Sequence, residues 1–306
     1  MKRLLTISSF IFLLIKISAQ DTCLPKYGLP IETIKLSYGN IAYVEKGKGE
    51  TILFIHGLGG NISHWIKTIN GLSASYRCIA IDLPGYGWSD KKPSANMDQL
   101  QLYADALKEF LEKKNIKKLI VAGHSMGGQV ATIMALQNRK IKKLVLVAPA
   151  GLETFSESEA KILIASTPAS AFEKQDEAVI RNNFKINFYN QPADVEQLIQ
   201  DRLAFKKCAG FKSYCETVSN GVKGMLAHPV RDSLKYLSMP VLVVFGANDG
   251  LIPNRYLHPA MQTGELARQS AGLIKNCRVE MIAEAGHMVQ YEKPEELNSI
   301  VKTFIK

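Results

Sequence analysis

Three residues of this chain have the types and the order that nucleophilic acyl chemistry needs: Ser125, Asp249 and His287. A serine hydroxyl is a poor nucleophile until a base takes its proton and a third group orients that base. Ser125 stands in Gly123-His124-Ser125-Met126-Gly127, after the apolar run 118–122 and before an apolar, helix-compatible stretch that ends near Gln137. The pattern predicts a sharp strand-to-helix turn that presents the serine, with glycines where Cβ atoms would not fit. Asp249 closes Gly246-Ala247-Asn248-Asp249 after the apolar run 241–245, and His287 lies in Glu284-Ala285-Gly286-His287-Met288 after a predicted strand over 278–282. Taken singly, Asp249 could shape its own loop through side-chain to backbone hydrogen bonds, and His287 could be a satisfied surface histidine. In the chain order Ser, Asp, His, and each at the end of a predicted strand, they read as nucleophile, orienting acid and base.

Such chemistry also needs donors for the oxyanion of a tetrahedral intermediate, and backbone amides in tight turns supply them without rearrangement. Two amides are placed for it. Met126 follows the nucleophile at a helix amino terminus, where the helix dipole favours negative charge. Leu58 lies in His56-Gly57-Leu58-Gly59-Gly60, just beyond the apolar run 51–55.

Elements that can position these residues are legible in the hydrophobic pattern. Apolar runs without polar alternation recur at 51–55, 78–81, 119–122, 144–148 and 241–245, as expected of parallel strands covered on both faces. Helical spacing separates several of them; the clearest face carries Leu100, Tyr103, Leu107, Phe110 and Leu111. The alternation predicts a doubly wound α/β sheet. Segments 32–37 and 41–45 flank Tyr38-Gly39-Asn40 and predict an antiparallel hairpin at the sheet's edge, and a helix is expected from Pro294 to the terminus. Between Leu152 and Leu237 no strand-like run occurs, while Phe172, Phe184, Phe188, Tyr189, Phe205 and Phe211 punctuate helical segments. This predicts a core of residues 20–151 and 238–306, and a helical cap of residues 152–237 inserted over the carboxyl ends of the strands, where open α/β sheets bind ligands. The cap aromatics lead us to expect a partly apolar pocket.

The segments His56-Gly57-Leu58-Gly59-Gly60, Asp82-Leu83-Pro84-Gly85-Tyr86-Gly87-Trp88-Ser89, Gly123-His124-Ser125-Met126-Gly127-Gly128, Gly246-Ala247-Asn248-Asp249 and Gly286-His287 resemble those of α/β-hydrolases, in particular carboxylesterase-like members with a serine nucleophile and a helical cap. The likeness covers nearly everything after residue 19. It implies a mostly parallel eight-stranded sheet with helices on both faces, a triad of Ser125, His287 and Asp249, oxyanion amides at Leu58 and Met126, and no metal or organic cofactor. Residues 82–89 would form a structural turn, so Asp82 and Asp90 are not counted as catalytic. Dehalogenases and epoxide hydrolases of similar fold use an aspartate where this chain has Ser125. Carbon–carbon bond hydrolases of ring-fission products carry a serine, but tend to have asparagine before it and proline in the first glycine loop, where this chain has His124 and Gly59-Gly60. The expected activity is hydrolysis of a carboxylic ester, a lactone or thioester being variants of it, through an acyl-enzyme. The alternatives are carbon–carbon cleavage of a diketone acid, with Arg181 or Arg202 of the cap as anion binder, and a hydrolase-like ligand sensor.

Composition bounds the setting. With 306 residues the chain has ample material for one large α/β core. Met1-Lys2-Arg3, an apolar stretch 4–15, Lys16 and Ile17-Ser18-Ala19 have the layout of a secretory signal peptide over residues 1–19, with cleavage expected after Ala19 and export to follow. The alternative is an uncleaved anchor, for which the apolar stretch is short. Cleavage would remove Lys2, Arg3 and Lys16 and no acid, so the formal charge would fall from +10 to +7. No dense Lys/Arg run concentrates it, so the expectation is a solvated basic surface with weak peripheral contact to anionic lipid and no nucleic-acid partner. Five cysteines leave at least one unpaired, and Cys208 with Cys215 is the one pair near enough in sequence for a local bridge. Cys78 and Cys277 are expected to be buried in strands as small apolar side chains.

Overall fold

The computed structural model describes residues 23–91 and 98–306, so the signal segment expected at residues 1–19 lies outside the described residues. Eight strands form one sheet in the spatial order β1-β2-β4-β3-β5-β6-β7-β8. They are β1 (Glu32–Lys35), β2 (Asn40–Lys46), β3 (Thr51–Ile55), β4 (Arg77–Ile81), β5 (Leu119–His124), β6 (Ile141–Val147), β7 (Val241–Gly246) and β8 (Cys277–Ile282). The hairpin forms at the edge as expected, with Lys35 opposite Asn40, and β2 joins β4 in antiparallel fashion. From β4 to β8 every pairing is parallel.

Both faces of the parallel strands are covered, which explains their unbroken apolar runs. Because successive side chains point to opposite faces, β3 sends Leu53 and Ile55 to one core and Ile52 and Phe54 to the other. The first core packs under α2 (Gln99–Lys113), α3 (Met126–Gln137) and α9 (Thr263–Ala271) through Leu107, Phe110, Val130, Met134 and Leu266. The second packs under α1 (Ile66–Leu72) and α11 (Pro294–Ile305) through Ile69, Leu72, Leu297 and Val301. A short α10 (Val289–Glu292) precedes α11.

Between β6 and β7 come five α-helices, α4 (Glu157–Ser166), α5 (Ala169–Glu173), α6 (Glu177–Lys185), α7 (Val195–Phe205) and α8 (Phe211–Ala227), followed by a 3-10 helix at Arg231–Tyr236. Ser156 and Glu159 start α4 with a reciprocal capping box. Helices α6 and α7 close on their own small core of Ile180, Val195, Leu198 and Ile199, which reaches Met288 and Tyr291 beside the site. Helix α8 is the best buried, and α4 and α5 pack on it.

The cysteines depart from expectation. Cys208 pairs with Cys23, 185 residues away, and not with Cys215. Cys208 lies in the turn between α7 and α8, whereas Cys215 is inside α8 and faces the core as a buried thiol, pushed up to about 12 by burial. Sequence proximity was a poor guide because the helix carries Cys215 away from that turn. Cys78 is buried in β4, and Cys277, at the first position of β8, is only half-buried.

Candidate active site

Ser125 occupies the single residue between β5 and α3, at φ 54° and ψ −120°. A non-glycine residue in that region costs about 1–3 kcal/mol and persists only where its surroundings hold it. Here the Ser125 amide donates to the Val147 carbonyl at 3.0 Å, and the Ser125 carbonyl accepts from Gly128 at 2.9 Å and from Ala150 at 3.0 Å. The motif glycines are needed for close approach: a Cβ at Gly127 would lie 2.4 Å from the Ile55 carbonyl oxygen, and one at Gly123 would lie 2.2 Å from that of Gly127.

The loop after β7 carries Asp249, and the loop after β8 carries His287, both almost wholly buried. Asp249 Oδ1 accepts the amides of Leu251 at 2.8 Å and Ile252 at 3.0 Å, which orients the carboxylate. Its Oδ2 lies 2.9 Å from His287 Nδ1. A proton on Nδ1 is therefore held by the carboxylate, and Nε2 is left free to act as a base. His287 and Ser125 line the same cavity.

Three further histidines lie near this pair; His56 and His124 stand in the motifs noted in the sequence, whereas nothing in its sequence context distinguished His64. His124 Nε2 donates to the His287 carbonyl at 3.1 Å, and the two rings lie 4.8 Å apart. Burial, reinforced by the nearby His287, holds His124 well below the ordinary histidine value, so it stays neutral beside His287. His56 spans two backbone groups, Nδ1 donating to Gly57 at 2.8 Å and Nε2 accepting from Leu83 at 3.1 Å, and burial pushes it down to about 4. His64 lines the cavity with an Nδ1 that has no partner among the described residues.

Both amides expected to serve the oxyanion lie beside Ser125, at Leu58 after β3 and at Met126 at the start of α3, and among the described residues neither has a protein acceptor. The cavity has a volume of about 500 Å³. Beside Ser125, His287 and Leu58, it is lined by the polar residues Gln129, Glu153 and Asn254, and by the apolar Phe155, Leu163, Val222, Met225 and Leu226 from 152–237 with Leu251 and Ile252 from the Asp249 loop. Among the aromatics expected to form the pocket, Phe172, Phe184 and Phe211 line a smaller neighbouring cavity of about 180 Å³, and Tyr189 is exposed. Asp82 is a buried structural anchor that accepts from Tyr27 Oη and the Ile62 and Trp88 amides. On α6, Arg181 is engaged by Glu177 and Glu196, and on α7 Arg202 is engaged by the Gly59 carbonyl.

Residues 50–294 match the family described as the alpha/beta hydrolase fold. Among curated proteins, the chain is 30% identical over 220 residues to the pimeloyl-[acyl-carrier protein] methyl ester esterase of Vibrio atlanticus, covering 68% of this chain and 79% of the relative. It is 28% identical over 267 residues to the dihydrolipoyllysine-residue acetyltransferase component of the acetoin cleaving system of Cupriavidus necator, covering 86% of this chain; there it spans only 65% of the relative's length. Among solved structures, a probable hydrolytic enzyme from Pseudomonas aeruginosa PAO1 superposes with a TM-score of 0.81 at 25% identity, over 92% of this chain and 96% of that one.

Proposed function

The chain belongs to the α/β-hydrolase family; from that premise we propose that it is a hydrolase that cleaves carboxylic esters through an acyl-enzyme formed on Ser125. The observation that carries the reading is the buried 2.9 Å contact of Asp249 with His287 Nδ1, in a cavity that His287 shares with Ser125. In the proposed sequence His287 Nε2 takes the Ser125 Oγ proton as Oγ attacks the ester carbonyl carbon. The negative charge moves to the carbonyl oxygen, which the Leu58 and Met126 amides hold. When the tetrahedral intermediate collapses, His287 returns the proton to the departing alkoxide and the alcohol leaves. Water then gives a proton to His287 and its hydroxyl to the acyl carbon, and the acid leaves as Ser125 regains its proton. Asp249 keeps the Nδ1 tautomer and stabilises the imidazolium throughout.

The apolar wall supports an acyl group of some length as the occupant of the large cavity, and the named ester hydrolase among the relatives agrees with ester chemistry. The Cys23–Cys208 disulfide supports an oxidising compartment as the setting. Carbon–carbon cleavage would call for a cation facing the substrate, yet Arg181 and Arg202 are both engaged by protein oxygens.

The test is turnover of a nitrophenyl ester series of increasing acyl length, with Ser125→Ala alongside. Turnover that falls by about 10⁴-fold or more in the variant supports the reading. Turnover that survives the substitution, or a wild-type protein that cleaves a vinylogous diketone acid and no ester, overturns it.

A further inference from the structure

We infer that Arg202 and Tyr214 are positioning residues for the oxyanion donor: from the cap they hold the Gly59 carbonyl, and with it the turn that presents the Leu58 amide. The inference rests on the ester-hydrolase reading of the site. Residues Gly57 to Gly60 form a turn closed by the Gly60 amide on the Gly57 carbonyl at 3.1 Å. Gly59 sits at φ +69°, as the third position of a type II turn requires. Two cap side chains converge on its carbonyl oxygen. Tyr214 Oη, from α8, donates to it at 3.0 Å, and Arg202 Nη2, from α7, donates to it as well.

The clamp is itself held in place. The Arg202 guanidinium lies 4.8 Å over the Tyr214 ring, and that ring is packed edge-on by Tyr86 at 5.7 Å and Phe205 at 5.2 Å. Burial pushes the Tyr214 hydroxyl up to about 12, so it remains a donor across the neutral range. The other end of the turn is fixed by the core: a Cβ at Gly57 would lie 3.1 Å from Ser125 Cβ. Leu58 is thus suspended between the nucleophile's own turn below and the cap above. Its side chain reaches α8 too, because a Cβ at Gly221 would lie 2.6 Å from Leu58 Cδ1. Gly221 is seven residues after Tyr214 and so lies on the same side of α8. Among the described residues the partners on the outward carbonyl of the turn come from α7 and α8, so cap docking sets the direction of a donor that belongs to the core.

Loss of the clamp should impair transition-state binding more than substrate binding. A thionoester reads this out, because sulfur is a weak acceptor and gains little from oxyanion donors. In Tyr214→Phe and in Arg202→Met, kcat on an oxygen ester is expected to fall about tenfold while KM changes less than about twofold, since the amide is misaimed and not lost. The ratio of oxygen-ester to thionoester kcat/KM is expected to fall by a similar factor, and Arg202→Lys is expected to recover part of it. Thermal unfolding of each variant checks that the cap remains folded. An unchanged ratio, with or without a fall in rate, overturns the inference and leaves the ester reading standing. A wild-type protein with no Ser125-dependent turnover of either ester overturns both.

Discussion

His287 Nδ1 lies 2.9 Å from Asp249 Oδ2, and the other oxygen of that carboxylate is tied to two backbone amides. The carboxylate has no freedom to turn away, so the imidazole inherits its orientation from the loop after β7.

Asp249→Asn keeps the shape of this arrangement but replaces an acceptor oxygen by an amide that can donate, which favours the wrong tautomer of His287. We expect kcat on a nitrophenyl ester to fall by about 10³- to 10⁴-fold with little change in KM. Steady-state kinetics checks it, and near-wild-type turnover would remove Asp249 from the proposed triad.

The elbow glycines should be intolerant. Gly127→Ala places a methyl group 2.4 Å from the Ile55 carbonyl and 2.5 Å from that of His56, and neither atom can move without shifting β3. A loss of about 2 kcal/mol or more is expected in urea unfolding, with activity falling along with it. Stability within a few tenths of wild type would contradict this packing.

Buried neutral histidines make the fold acid-sensitive. His56 is held down to about 4 in the folded chain, against about 6.5 when unfolded, so the unfolded state binds the extra proton first. Its contribution is complete above about pH 6.5 and is lost as pH falls toward 4, by about 3 kcal/mol for this one group. His124 adds to the same slope. Denaturant midpoints measured between pH 7 and 4 should fall steeply, and His56→Gln, which can still donate and accept, should flatten the profile.

The large cavity should set chain-length preference. Val222 lines it from α8, together with the Asp249 loop residues Leu251 and Ile252. Val222→Trp is expected to lower kcat/KM for the longest accepted acyl chain by about tenfold or more while leaving the acetyl ester within about threefold. Equal losses at all lengths would place the acyl chain elsewhere.

The Cys23–Cys208 bridge ties the amino-terminal segment to the turn between α7 and α8. Cys208→Ser is expected to cost about 2–5 kcal/mol in chemical unfolding, reductant should have the same effect on the wild type, and the two should not add. A wild-type protein indifferent to reductant would contradict the pairing.

The strands and the order of the three catalytic candidates were legible in the sequence because each depends on local chemistry. A strand buried on both faces must be apolar along its centre, as residues 52–55 of β3 are, and an elbow that grazes a neighbouring carbonyl must be glycine at 123 and 127. Such constraints act on residue types at fixed spacing, so they leave a readable mark. What required the tertiary structure joins residues far apart in the chain. The partner of Cys208 is 185 residues away, His124 meets the carbonyl of His287, and Arg202 and Tyr214 reach Gly59. The wall of the cavity likewise comes from Leu163, Val222 and Met225, which are ordinary apolar helix residues in the sequence. Their role follows from how α4 and α8 are laid over the sheet, and packing among distant helices has no period in the sequence from which it could be read.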